Sequence, residues 1–514
     1  VVIAVSLASP QPTADDLASS VALASRSLDV MIDANQRAQV ASLTDRDISI
    51  VVPMGDIGST SFDRVADAAP LGREAALAHA AELRRYAVPV EQYRAWRQAL
   101  NREADGPVRL AAVEIRGLDR VNPDYVRTQL QSARPEREVT NDQIIEDTSR
   151  IYALGEFERV SYRLGGTADA RTLEIYPVEK SWGPDLVRFD VGVAANGDGA
   201  LEAVLRADHN RTWINSWGGE WHSGLQIGEQ TLVETDFYQP LDVRQHVFVQ
   251  PVVRFDRNLE NIYDDGDRIA RYVLRELYGQ LDAGVNFGTR AQLRLGVRRG
   301  WFDAQRDTGP AILSEVDRTV DSSLQLRIVY DTRNVLGLPT SGTFLNARFA
   351  RSGPWLGGAQ SYDLAEGVLT KSFPWRGDAL SLIVGGGAEL SGSLPVNEAF
   401  QLGGIRTFPG LQRGELRGDS YWFAGSSYNW KLADIQSLFG QALYAGLRLQ
   451  GGRMGGRVDA VRDGALYGVS TSLSGRTPVG PFLLSLGYVD NGSWQLQLAI
   501  GRPIAEGSLL DEIR

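Results

Sequence analysis

Cysteine is absent from the 514 residues, which excludes disulfides and thiolate chemistry. Histidine is scarce. His79, His209, His222 and His246 are spread along the chain, and no pair has the close spacing of metal ligands, so no metal or other cofactor is expected. Long apolar runs are missing too. No stretch reaches the roughly 18 consecutive apolar residues of a membrane-crossing helix. That does not exclude a membrane barrel, whose strands each need only one lipid-facing side. Positive charge is in deficit, with 53 Lys and Arg against 64 Asp and Glu and a net charge of -11, which argues against a nucleic-acid partner. The pattern Gly-x-Ser-x-Gly, which exposes a nucleophilic serine on a sharp turn, occurs nowhere in the chain.

Glycine is plentiful, at 54 residues, and its spacing among short apolar segments suits many strands and turns better than an α/β enzyme. Residues 1–102 nonetheless read as α/β. Val1 to Leu7 is a compact apolar strand, and Leu17, Val21, Ala24, Leu28 and Met31 recur at helical spacing. Asp15 and Asp16 stand where acids favour the helix dipole. Ile48 to Pro53 is a second buried-type strand, and Pro70 to Tyr86 a helix rich in Ala and Leu. Two strands and a few helices are too little for a complete doubly wound domain. The opening on a strand without Met leads to the expectation that more chain precedes Val1.

Residues 107–181 form a separate small unit in the order β-α-α-β-β. Arg109 to Arg116 is a strand. Asn122-Pro123-Asp124 and Thr140-Asn141-Asp142 each open a helix with a capping residue, and Phe157–Leu164 and Thr172–Val178 pair as strands. This unit resembles the polypeptide-transport-associated (POTRA) repeat of the Omp85 outer-membrane family. The resemblance rests on Val113-Glu114-Ile115-Arg116-Gly117, Ile151-Tyr152-Ala153-Leu154-Gly155-Glu156-Phe157 and the strand ending at Val178.

From 185 to 501 the pattern is strands throughout. Leu324, Leu326, Ile328 and Tyr330 alternate with Ser323, Gln325, Arg327 and Asp331. Leu345, Ala347 and Phe349 alternate with Asn346, Arg348 and Ala350, and Trp494, Leu496, Leu498 and Ile500 with Gln495, Gln497, Ala499 and Gly501. A soluble β-sandwich also has one wet and one dry face. Here the second face carries glycine and charge strand after strand, and Trp301, Trp422, Trp430 and Trp494 recur near strand ends, as in a barrel with a wet interior and aromatic girdles. Residues 502–514 read as a tail.

Within the barrel, Phe237-Tyr238-Gln239-Pro240-Leu241 resembles an early-strand motif of the Omp85 family. Tyr330-Asp331-Thr332-Arg333-Asn334, with Pro339 and Gly342, resembles its mid-barrel motif, in which Asp331 and Arg333 are candidate site residues. The segment from Gly403 to Leu411 is similar to the family's inward-folding loop. There the motif arginine falls on Pro409 and the aromatic on Leu411, on either side of Gly410. The family's inward strand acid falls on Gln450. Losing both members of an ion pair costs less than losing one, so the usual loop lock is not expected. Arg406 or Arg413 remains a candidate hydrogen-bond donor to Gln450.

The first hundred residues before such a unit and barrel resemble bacterial patatin-like phospholipases of the outer membrane, on Val1-Val2-Ile3-Ala4-Val5, Pro53-Met54-Gly55-Asp56-Ile57-Gly58 and Pro70-Leu71-Gly72-Arg73-Glu74. The resemblance implies a serine–aspartate dyad that this chain does not hold: Ser59 and Ser61 lack the flanking pattern, and Asp56 reads as a turn-capping carboxylate. The expectation is a multidomain protein: the C-terminal part of an α/β patatin-like domain, one POTRA-like domain and a 16-stranded transmembrane barrel. It sits in the outer membrane with its first two parts periplasmic, meets lipid and forms a homodimer. Two functions stand open: anchoring or delivering a lipid acyl hydrolase, or inserting or secreting other proteins.

Overall fold

The computed structural model describes residues 1–8, 20–55, 57, 64–100, 106–167, 170–195, 201–264, 267–335, 339–433, 442–456, 464–477 and 480–501. Two compact units divide the chain near residue 105. In the first, β1 (Ile3–Ala8) and β2 (Ile48–Pro53) pair in parallel, joined through the helix α1 (Ser20–Ala41). Ile48, Ile50 and Val52 of β2 are buried, while Val1, Ile3, Val5 and Leu7 stay exposed. Three helices follow: α2 (Val65–Ala78), α3 (Ala80–Leu83) and α4 (Val90–Leu100). The helix expected from Pro70 begins at Val65 and carries Pro70 inside its second turn. It breaks at His79, so the expected single helix is two. The sequence reading also passed over α4. Asp15, Asp16, Leu17, Asp56, Ser59 and Ser61 lie outside the described residues.

The second unit opens with β3 (Val108–Ile115), α5 (Pro123–Thr128), β4 (Glu138–Val139), α6 (Asn141–Tyr152), β5 (Phe157–Thr167) and β6 (Ala170–Glu179). Their sheet runs β4-β3-β6-β5, and the arrangement is consistent with a POTRA-like domain. The short strand β4, pairing at Val108 and Arg109, is an addition to the expected order. Local chemistry explains both helix starts. The Asn122 side chain accepts from the Asp124 N–H with Pro123 in the first turn, and Thr140 forms a reciprocal capping box with Gln143. Apolar residues of α5, α6 and the sheet, among them Val126, Ile144, Ile151, Leu173 and Ile175, make one core. The buried Asp147 carboxylate accepts from the backbone N–H groups of Gln131, Ser132 and Ala133.

Sixteen antiparallel strands then close into a barrel. They are β7 (Asp185–Ala195), β8 (Leu201–Arg211), β9 (Glu220–Gly228), β10 (Thr231–Pro240), β11 (Val247–Asp264), β12 (Asp267–Phe287), β13 (Ala291–Thr308) and β14 (Val316–Asp331). The next four are β15 (Gly342–Ser352), β16 (Tyr362–Trp375), β17 (Asp378–Gly392) and, after a long loop, β20 (Ser420–Ala433). The last four are β21 (Leu443–Gly455), β22 (Leu466–Thr477), β23 (Gly480–Val489) and β24 (Trp494–Ile500). The loop carries its own hairpin, β18 (Phe400–Leu402) with β19 (Leu416–Gly418).

The barrel inverts the usual distribution of polarity. Leu205, Leu225, Val253, Leu281, Leu295, Val384, Leu449 and Leu496 stand exposed on the outside, while Asp208, Glu234, Asp282, Arg298, Asp321 and Gln497 are buried within. Strand periodicity of two produces this directly. Trp422, Trp430 and Trp494 are exposed on the same outer surface. Trp301 is half-buried beneath the Arg318 guanidinium, 4.0 Å above its ring. No helix among the described residues is long and apolar enough to cross a membrane.

Candidate functional site

The segment between β17 and β20 turns back into the lumen. Phe400, Leu402, Phe408, Leu411 and Leu416 of this loop pack with Phe423, Met454, Leu466 and Val489 of the wall in one apolar cluster. Gly403, at φ 126°, permits the turn, since a Cβ there would lie 2.1 Å from the Gln412 carbonyl oxygen. Across the turn, Thr407 Oγ1 donates to the Gly403 carbonyl at 2.8 Å. Gly410 allows the tip to reach the wall: a Cβ would come within 2.6 Å of Val489 Cγ2. Two wall side chains hold the tip by its backbone. Gln497 Nε2 donates to the Leu411 carbonyl at 3.1 Å, and Arg448 Nη2 to the Thr407 carbonyl at 3.0 Å.

Gln450 faces inward, as its alternation with the exposed Leu449 requires, and is buried. Neither of its side-chain amide atoms has a hydrogen-bond partner. The candidate bond from Arg406 or Arg413 is therefore not made. Both arginines remain half-exposed on the loop and have interactions of their own. With a neutral amide at position 450 there is no charge to draw a guanidinium into the wall.

The loop is gripped by charge at its stem. Glu398 Oε1 accepts from Arg298 Nη2 of β13 at 2.5 Å, and Glu398 Oε2 from Arg348 Nη2 of β15 at 3.0 Å. Arg298 also pairs with Asp321 at 2.5 Å and with Glu276 at 3.5 Å, and Arg348 with Glu366 at 3.5 Å. Tyr362 donates to Asp321 and Tyr421 to Glu366. On the other arm of the stem, Arg417 pairs with Glu260 of β11, which also accepts from Gln401. Sequence reasoning missed all of these. The available signal was charge recurring at inward positions of neighbouring strands, but the partners emerge only from register.

Asp331 and Arg333 pair with each other. Arg333 makes a two-point ion pair with Asp331, its Nη2 2.6 Å from Oδ2, and stacks over Phe344 at 4.1 Å. With Asn334, whose side chain accepts from the Thr340 and Ser341 N–H groups, they shape the β14–β15 turn. The early-strand motif serves the same barrel end. Tyr238 accepts from Asn286 and Gln239 from Asn215.

Register also assembles Asp208, His222 and Glu234, whose donor atoms lie within 4.8 Å of one another and could hold a metal ion. His222 lies 3.2 Å from Asp208 and 2.9 Å from Asp236 through its two ring nitrogens. Arg206 donates to Asp208 at 2.8 Å and to Glu234 at 2.7 Å, so a cation already balances these acids.

The POTRA-like unit meets the barrel at the turn after β8. Thr212 Oγ1 donates to Glu156 at 3.1 Å, Asn122 donates to the Ser216 carbonyl, and the Tyr125 and Trp213 rings lie 5.2 Å apart. Burial pushes the Glu156 carboxyl above its ordinary range and the Tyr125 phenol up to about 12.

First and last strands, β7 and β24, close the barrel; among the described residues they pair at Val193–Ile500, Ala194–Ala499 and Ala195–Leu498.

A closed antiparallel barrel, apolar outside and charged within, with a loop folded into its lumen, defines a transmembrane barrel of the bacterial outer membrane. The Omp85 superfamily domain matches residues 218–502, more than half of the chain, and the protein belongs to that superfamily. Its fold is similar to that of BamA from Haemophilus ducreyi lacking POTRA domains 1–3. That structure shares 13% identity and a TM-score of 0.57, over 77% of this chain and 84% of the other. CdiB from Escherichia coli is similar at 14% identity and a TM-score of 0.51, over 77% of this chain and 76% of the other. No curated protein sequence matches the chain.

Proposed function

We propose that the barrel inserts or secretes other proteins at the outer membrane, with the β7–β24 seam as the place where client strands engage. The closure of the sheet by its own first and last strands carries this reading. Opening that junction exposes two strand edges, either of which can template an incoming strand. The likeness to BamA and CdiB barrels supports it. In this reading the POTRA-like unit stands on the periplasmic side, where clients arrive.

The test uses the absence of native cysteine. Val193→Cys with Ile500→Cys allows a disulfide across the seam. Proteoliposomes holding the protein are offered an unfolded outer-membrane barrel, and protease-protected insertion is measured. Insertion blocked by oxidation and restored by reductant is the expected result. Insertion no faster than into empty vesicles, or indifferent to the cross-link, rejects the reading.

A second reading has its own observation. The parallel β1–β2 pair leaves the apolar side chains of β1 exposed, as a sheet lacking a neighbouring strand would. In this reading the barrel anchors or delivers a patatin-like acyl hydrolase, as a homodimer, whose serine and aspartate are not in this chain. Ester hydrolysis by the full-length gene product and by this chain, side by side, tests it. An inactive full-length product removes the hydrolase, and a monomer on mass measurement in detergent removes the dimer.

A further inference from the structure

The loop reaches across the lumen between two different kinds of contact. Its tip is held on the β20–β24 wall by apolar packing and by two donors to backbone carbonyls. Its stem is held on the opposite strands by ion pairs. Within the stem cluster the four acids are not equivalent. Asp321 and Glu366 each have a tyrosine donor besides an arginine, and Glu276 is approached by Asn397 at 3.5 Å. Glu398 alone spends its two oxygens on two different arginines, and those arginines stand on β13 and β15, two strands apart. It is also the one acid of the four that belongs to the loop.

We propose that Glu398 is the positioning residue of the luminal loop, a latch whose acid is on the loop and whose cations are on the wall. The buried position sets its strength. A carboxylate taken out of water is stable only while its partners remain, and each arginine that loses it keeps a desolvated charge with one acceptor fewer. Releasing the stem therefore exposes charge on both sides of the contact, and the closed position is favoured cooperatively. At the tip, Gln450 offers the loop no hydrogen bond, and the two wall donors described above bond backbone carbonyls. The latch acts on the loop whatever the barrel transports, so it stands or falls separately from the seam.

Arg406 and Arg413, both on the loop, supply the readout as trypsin sites. The full chain, purified in detergent, is digested and cleavage after these two residues is followed by mass. Conductance of the same protein in planar bilayers is measured alongside. Glu398→Gln keeps shape and removes charge, and should raise cleavage at both sites about tenfold or more and enlarge the conductance. Glu398→Asp keeps the charge on the loop side and should recover protection, including where Glu398→Gln fails to fold. A folded Glu398→Gln protein as protected and as weakly conducting as the parent overturns the latch. So does a folded Glu398→Asp protein that remains as cleavable as Glu398→Gln, since shape and not charge would then hold the loop.

Discussion

Replacing Asp147 with alanine should unfold the POTRA-like unit while leaving the barrel closed. The carboxylate is fully buried and accepts from three successive backbone N–H groups, at 3.0 Å from Gln131, 3.0 Å from Ser132 and 2.7 Å from Ala133. It also pairs with Arg150. Alanine leaves those donors without an acceptor beneath the buried Leu130 and Ala133. Each unsatisfied buried donor costs about 1–3 kcal/mol, so the loss is about 3–5 kcal/mol once partial water entry is allowed. A unit of about 75 residues has only ~4–11 kcal/mol of total stability. The substitution thus removes much or all of it. Hydrogen exchange on the full chain reads this out by segment. Amides of α5, α6 and β3–β6 should lose protection, and those of β11–β13 should keep it. Asp147→Asn, which retains one acceptor oxygen, should fall between. Unchanged protection across residues 107–181 in Asp147→Ala would show that the three bonds do not hold the unit together.

The outer wall gives a second expectation: Val384→Arg, on the exposed face of β17, should cost ~2–4 kcal/mol of barrel stability, seen as an earlier urea midpoint for folding into lipid vesicles. Gln450→Leu should leave stability unchanged or slightly raised, because it removes a buried amide that bonds to nothing; a fall in melting temperature beyond a degree or two would reveal an unseen partner. Asp47 carries a pH dependence. The Thr44 backbone N–H, the Thr44 hydroxyl and the Val2 N–H lower its carboxyl to about 2. Being depressed, it steadies its turn above the ordinary carboxylate range and loses that effect as pH falls toward 2. The protection factors of the Val2 and Thr44 amides, taken relative to the intrinsic exchange rate at each pH, should fall over that window and stay level in Asp47→Asn.

Much of this architecture was readable from residue order because its signals are local. Alternation placed Asn346, Arg348, Gln450 and Gln497 inside from neighbours two positions away, and Thr140 marked the start of α6 through a partner three residues on. Barrel closure and the count of sixteen followed from the family resemblance, since no alternation pattern encodes where a sheet meets its own first strand. Long-range pairings were not readable. Glu398 lies in an aperiodic loop and finds Arg298 at a separation of 100 residues and Arg348 at 50. His222 meets Asp208 and Asp236 only because strand register aligns them 14 residues away on either side. Near Pro70 the local rule misled. Proline suggested a helix start, but the preceding turn tolerates the lost hydrogen bond and the helix begins earlier.

The barrel rim is not level. β11, β12 and β13 have 18, 21 and 18 residues, against the roughly 9–11 that cross a bilayer. The excess forms a ridge above the neighbouring β8, β9 and β10, of 11, 9 and 10 residues. Glu260, on that raised part of β11, is bound to Arg417 and Gln401 of the loop stem. The ridge is therefore a lever with its short arm inside the lumen. A force that bends it outward must either break the contacts of Glu260 with Arg417 and Gln401 or drag the stem with it, so a load on the ridge reaches the channel interior through the loop stem.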